Sequence, residues 1–120
     1  MNILIDSSAW IEYFKGNKSF LFVNDLIINN AVTTNELILT ELLPFILHKK
    51  EFELIDLLCN IKKLEIKINW EELRSFQLIN INNGNNIGIP DLIIAQNCIQ
   101  NKGKLLSCDK HFKTITKFYH

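Results

Sequence analysis

Ile3-Leu4-Ile5-Asp6-Ser7-Ser8-Ala9-Trp10-Ile11 is the stretch whose reading decides the fold. The apolar run over residues 1–5, rich in β-branched side chains, stops at a carboxylate, the pattern of a short buried strand. Ser7 and Ser8 then offer helix N-caps before Ala9-Trp10-Ile11-Glu12-Tyr13-Phe14, with Gly16 as the stop. A strand that ends in an acid and turns at once into a helix opens an α/β unit.

Outward from that opening the alternation repeats. Residues 19–30 carry apolar side chains at helical spacing and predict a second helix. Ala31-Val32-Thr33-Thr34 reads as a strand feeding a helix from about Asn35. Pro44 lacks a backbone donor and collides with the preceding turn, which predicts a break or kink just before Phe45 and a further helix over 51–60. Residues 64–68 alternate apolar and charged, as in a strand. A helix over 70–81, capped by Asn69, leads to the polar loop 82–86. Pro90 suits the first turn of a helix reaching about Asn101, and Gly103 suits its C-terminal turn. Residues 104–107 predict a strand, 109–115 a helical turn and 117–119 a last strand. The sum is a three-layer α/β sandwich around a mainly parallel sheet, one domain over 1–120. In such sheets ligands bind beyond the carboxyl ends of the strands.

Composition narrows the function. Apolar residues make up 48% and charged residues 22% of the chain, so disorder is excluded as the main state. No apolar run reaches the roughly 18 residues of a membrane span, and the first residues lack signal-peptide character. A cytoplasmic protein is expected. Three cysteines, none at metal-finger spacing to another, argue against a disulfide framework or a zinc finger. Thirteen basic residues balance thirteen acidic ones. A polyanionic partner therefore needs a local basic patch or a bound cation.

Four acids stand out. Asp6 and Asp109 each follow a strand and fall on the carboxyl edge of a parallel sheet. Asp91 opens a helix that continues Leu92-Ile93-Ile94-Ala95. Glu41, with Leu37, Ile38 and Phe45 as its helical neighbours, reads as lying on an apolar face, where an unpaired carboxylate is unfavourable or titrates high. Singly each has a structural explanation: a cap for Asp6 or Asp109, a helix-dipole contact for Asp91, a lysine partner for Glu41. Together they would repel unless a divalent cation sat among them. Oxygen donors without nearby His or Cys favour Mg²⁺ or Mn²⁺ over zinc.

These residues fall into four motifs. Residues 3–11 resemble the strand–Asp–hydroxyl opening of PIN-domain ribonucleases, especially VapC-like toxins. Leu39-Thr40-Glu41-Leu42-Leu43 is similar to their glutamate motif, and Gly88-Ile89-Pro90-Asp91-Leu92-Ile93-Ile94-Ala95 to the motif in which an aspartate opens an apolar helix. Leu105-Leu106-Ser107-Cys108-Asp109-Lys110-His111-Phe112 resembles the fourth. The match spans residues 1 to about 116. Two departures stand: no glycine follows Glu41, where Pro44-Phe45 occurs, and His111 replaces the second acid of the last motif.

The resemblance implies a PIN-like fold and a Mg²⁺-dependent endoribonuclease, with Mn²⁺ as a substitute. It implies Asp6, Glu41, Asp91 and Asp109 as catalytic and metal-holding residues. It further implies an RNA substrate, a cognate antitoxin and a homodimer. Ser7, Ser8 and Ser107 are candidates to orient a carboxylate, Ser107 across adjacent strands. Lys15, Lys110 and Lys113 are candidates for phosphate contact. Two other readings compete. A Mg²⁺-binding phosphoacceptor domain needs adjacent acids after the first strand, where Ser7-Ser8 stand. An inactive PIN fold serving as an RNA-binding module fits poorly with acids at all four motif positions.

Overall fold

Ile3–Ile5 (β1), Val32–Thr34 (β2), Lys62–Lys63 (β3) and Lys104–Leu106 (β4) form one parallel sheet in the order β3-β2-β1-β4. The computed structural model describes residues 2–108. Asp109, the helical turn expected over 109–115 and the strand over 117–119 lie outside the described residues. Between the strands run Ser7–Phe14 (α1), Val23–Ile28 (α2), Glu36–His48 (α3), Phe52–Cys59 (α4), Trp70–Asn82 (α5) and Ile89–Gln100 (α6). Every strand is short, so the sheet is a platform and the helices supply most of the buried surface. Leu4 and Ile5 are fully buried at its centre. Trp10, Ile38, Leu42 and Ile46 join them from α1 and α3, and Leu92, Ile94 and Ala95 from α6. Each such aliphatic side chain contributes about 1.5–3 kcal/mol by leaving water.

Local chemistry revises several expectations. Helix α1 starts at Ser7, and its N-cap is Asp6, in an extended conformation, instead of Ser7 or Ser8. The stop at Gly16 holds, with φ +79° and its N–H on the Tyr13 carbonyl. Residues 19–30 divide into a 3-10 turn at Lys18–Phe20 and the short α2.

Pro44 does not break α3, which continues through it to His48. Pro44 and Thr40 are both exposed, so water satisfies the Thr40 carbonyl that loses its donor, while Leu39, Leu42 and Ile46 hold the opposite side in the core. The strand expected over 64–68 is Lys62–Lys63, two residues earlier, and pairs only with Thr33 and Thr34. Beyond Leu64 the backbone is held by side chains of α6: Asn97 donates to the Glu65 carbonyl at 3.0 Å and Gln100 to that of Lys67 at 2.9 Å. After α6 the left-handed residue is Lys102, φ +53°. Gly103 instead allows a close approach, since a Cβ there would sit 3.0 Å from the Asn2 carbonyl oxygen. Among the described residues no helix is long and apolar enough to cross a membrane.

Candidate active site

Parallel pairing of β1 with β4 places Ile5 beside Leu106, so the next residues, Asp6 and Ser107, meet at the carboxyl edge. Asp6 is 4% exposed. Its Oδ1 accepts from Ser8 Oγ at 2.7 Å and from the Ala9 N–H at 3.1 Å; its Oδ2 accepts from Ser107 Oγ at 2.5 Å. Ser8 Oγ in turn accepts from the Cys108 N–H at 3.0 Å. A carboxylate offers roughly four acceptor positions. Three are engaged, which fixes the group in one orientation and leaves one position for an outside ligand. Asp6 thus caps α1 and presents an oxygen to the edge at once.

Asp91 sits in the first turn of α6, which has no side-chain cap at Gly88, so the positive end of the helix dipole faces an acid. The backbone contact of Lys104 N with the Asn2 carbonyl shows that α6 ends at the amino edge of the sheet, so its first turn returns to the carboxyl side. Glu41 rides on α3. Its carboxyl is pushed above the ordinary glutamate value first by partial burial, then by the charges of Asp91 and Asp6. Glu41 therefore lies in the field of both aspartates. Glu41 itself is exposed, and the apolar-face reading is corrected. Residues 38, 39, 42 and 46 make the buried stripe, while Leu37, Glu41 and the 49%-exposed Phe45 follow one another along its rim.

Among the described residues no three acid, histidine or cysteine side chains converge closely enough to enclose a metal ion. An oxygen-only donor set of mutually repelling carboxylates fits a cation that keeps several of its waters and takes one or two carboxylates directly, the habit of Mg²⁺. Lys15 is drawn to Glu12 at 3.4 Å. Lys110, Lys113 and His111 lie outside the described residues. Trp10 is wholly buried and stacks on Phe14 with centroids 5.5 Å apart, so it belongs to the core. One turn beyond Glu41, a cleft of about 110 Å³ opens between α1 and α3, lined by Ile11, Phe14, Lys15, Leu42, Phe45 and Lys49 among others.

Two residues near the site were not singled out from the sequence. Asn35 and Asn97 are buried and hydrogen-bonded to each other at 2.9 Å. The signal for Asn97 was present: Gln96-Asn97 interrupts an otherwise apolar helical run.

A parallel four-stranded sheet flanked by helices, with acids gathered at its carboxyl edge, defines an α/β protein of the PIN fold. The PIN domain family model matches residues 3–117, and the chain belongs to that family. Among solved structures, the crystal structure of VapBC2 from Rickettsia felis bound to a DNA fragment from its promoter matches with a TM-score of 0.76 and 19% identity. The alignment covers 95% of this chain and 92% of that one. A comparison with curated protein sequences found no match.

Proposed function

We propose that this protein is a Mg²⁺-dependent endoribonuclease and the toxin of a toxin–antitoxin pair. The observation that carries the reading is the Asp6 carboxylate held at the carboxyl edge of the sheet by Ser8, Ser107 and the Ala9 N–H, with Glu41 in the field of Asp6 and Asp91. Asp6 and Asp91 would hold Mg²⁺ or Mn²⁺ as direct ligands with Glu41 beside them, and the sequence motif adds Asp109 to the proposed set. The bound cation supplies a water of lowered pKa and a counter-charge for the departing oxygen of a phosphodiester. Ser8 and Ser107 hold the Asp6 carboxylate in one orientation. Glu41, open to solvent and more readily protonated than an ordinary glutamate, is suited to take a proton from the attacking water. The cation also answers the absence of net positive charge, since it gives the RNA backbone a local attraction that thirteen balanced charge pairs do not.

The antitoxin and homodimer parts of the reading draw on the resemblance and on the likeness to VapBC2. Exposed apolar side chains, Leu21, Phe22 and Ile28 in one segment and Phe52 in another, offer surface for such contacts. A cytoplasmic location accords with an RNA substrate. The test is cleavage of a single-stranded RNA by purified protein with Mg²⁺, with EDTA, and with Asp91→Asn. Cleavage that needs the cation and Asp91 supports the reading; cleavage unaffected by EDTA or by the substitution overturns it.

A further inference from the structure

Glu41 and Asp91 sit on different helices, and their separation is a property of how α3 and α6 are docked. One polar contact ties these helices together deep in the core. Asn35 is the N-cap of α3: its Oδ1 accepts from the Ile38 N–H at 2.9 Å, while its Nδ2 donates to Asn97 Oδ1 on α6 at 2.9 Å. Asn97 Nδ2 donates onward to the Glu65 carbonyl at 3.0 Å. Asn35 is 0% and Asn97 1% exposed. Buried amides are unfavourable unless paired, and the three bonds give each a partner.

The register is informative. Asn35 precedes Glu41 by six residues, and Asn97 follows Asp91 by six. At 1.5 Å per residue the bridge lies about 9 Å along the axis from each acid. The helices thus run antiparallel past each other, joined at one level by a buried amide pair, with Glu41 and Asp91 about two turns along on the more open side. Two ionised carboxylates brought near each other repel unless a cation lies between them. Apolar packing between helices tolerates sliding, whereas a hydrogen bond between two amides that are each pinned by a second bond does not.

We propose that the Asn35–Asn97 bridge is the positioning element of the acidic site, holding Glu41 and Asp91 at the spacing a divalent cation needs. This rests on the metal reading above. Neither asparagine touches the ion or the substrate.

The test measures Mn²⁺ binding to the full chain by calorimetry or electron paramagnetic resonance, with thermal melting in parallel. Asn35→Ser keeps a capping oxygen but removes the amide donor, and Asn97→Leu removes both functions at similar volume. Gln96→Leu is the control. Gln96 is an equally buried amide on the same helix, but it clamps Asn69 and Glu72 of the α5 side instead of α3. All three variants should melt lower than wild type. Only Asn35→Ser and Asn97→Leu should weaken Mn²⁺ binding, by roughly tenfold, as loss of outer contacts to a metal site does. Equal weakening in Gln96→Leu, or unchanged affinity in both bridge variants while Asp91→Asn loses it, overturns the bridge and leaves the metal site standing. Should Asn97→Leu fail to fold, the milder Asn35→Ser decides alone. No Mn²⁺ binding by wild type overturns the metal reading and the bridge with it.

Discussion

The two edges of the sheet are built from different chemistry. At the amino edge, neutral groups satisfy one another: Thr33 Oγ1 donates to Asn2 Oδ1 at 2.5 Å, Asn2 Nδ2 to the Asn101 carbonyl at 3.3 Å, and Lys104 N–H to the Asn2 carbonyl at 2.9 Å. At the carboxyl edge, Glu41 lies in the field of Asp6 and Asp91, and the hydroxyls of Ser8 and Ser107 and the Ala9 N–H donate to Asp6. The ion pairs of Lys15 with Glu12 and of Lys63 with Glu36 involve none of the amino-edge groups. One edge closes the fold. The other gathers carboxylates, and under the proposed reading a bound cation would relieve their repulsion.

Substitutions at each edge should separate these roles. The largest effect belongs to Asp6→Asn and Asp91→Asn. Each should lower Mg²⁺-dependent RNA cleavage by at least a hundredfold, because a hard ligand is lost and with it several kcal/mol of charge stabilisation. Apo melting should hold or rise in both. Comparable cleavage in either variant would remove that residue from the site. Ser107→Ala comes next. It frees Asp6 Oδ2 to turn, and cleavage should fall roughly tenfold with the cation requirement retained. An unchanged rate would mean that Ser8 and the Ala9 N–H suffice to aim the carboxylate.

The amino edge should behave in the opposite way. Gly103→Ala brings a methyl against the Asn2 carbonyl and should destabilise by about 1 kcal/mol, read by denaturant melting, with Mn²⁺ affinity unchanged. A change in metal affinity there would break the contrast between the edges. Glu41→Gln is the smallest. Because the group is substantially solvated, its effect on apo stability should be under about 1 kcal/mol and of stabilising sign. Mn²⁺ should then raise the melting temperature of wild type more than that of the variant. Glu41 holds its proton more tightly in the folded chain than in the unfolded one. Its contribution to stability is therefore complete at low pH and is lost as pH rises through its raised value. In Glu41→Gln that decline should flatten across the same interval, and an unaltered pH profile of melting would show that the acids do not share a field.

How much of this was legible in the sequence differs from residue to residue. Asp6 and Asp91 were readable because their signals are local: a strand end followed by hydroxyls, and a proline and an acid opening an apolar helix. Glu41 was legible as an unusual acid but was placed on the wrong face. Its neighbours Leu37 and Phe45 are apolar, yet one is half-buried and the other half-exposed, so type alone did not reveal the rim. Pro44 carried a strong local rule against helix, and the rule lost because its exposed face lets water replace the missing bond.

By itself the sequence determined the alternation of short strands and helices, the order of the motifs and the capping potential of Asp6 and Asn69, because those depend on residues within a turn of one another. The tertiary structure alone decided which acids share a field, that Ser107 closes on Asp6 from 101 positions away, and that Asn35 finds Asn97 across 62. Such contacts join segments whose spacing along the chain carries no trace of their distance in space. Only the docking of α3 and α6 on the sheet sets that distance.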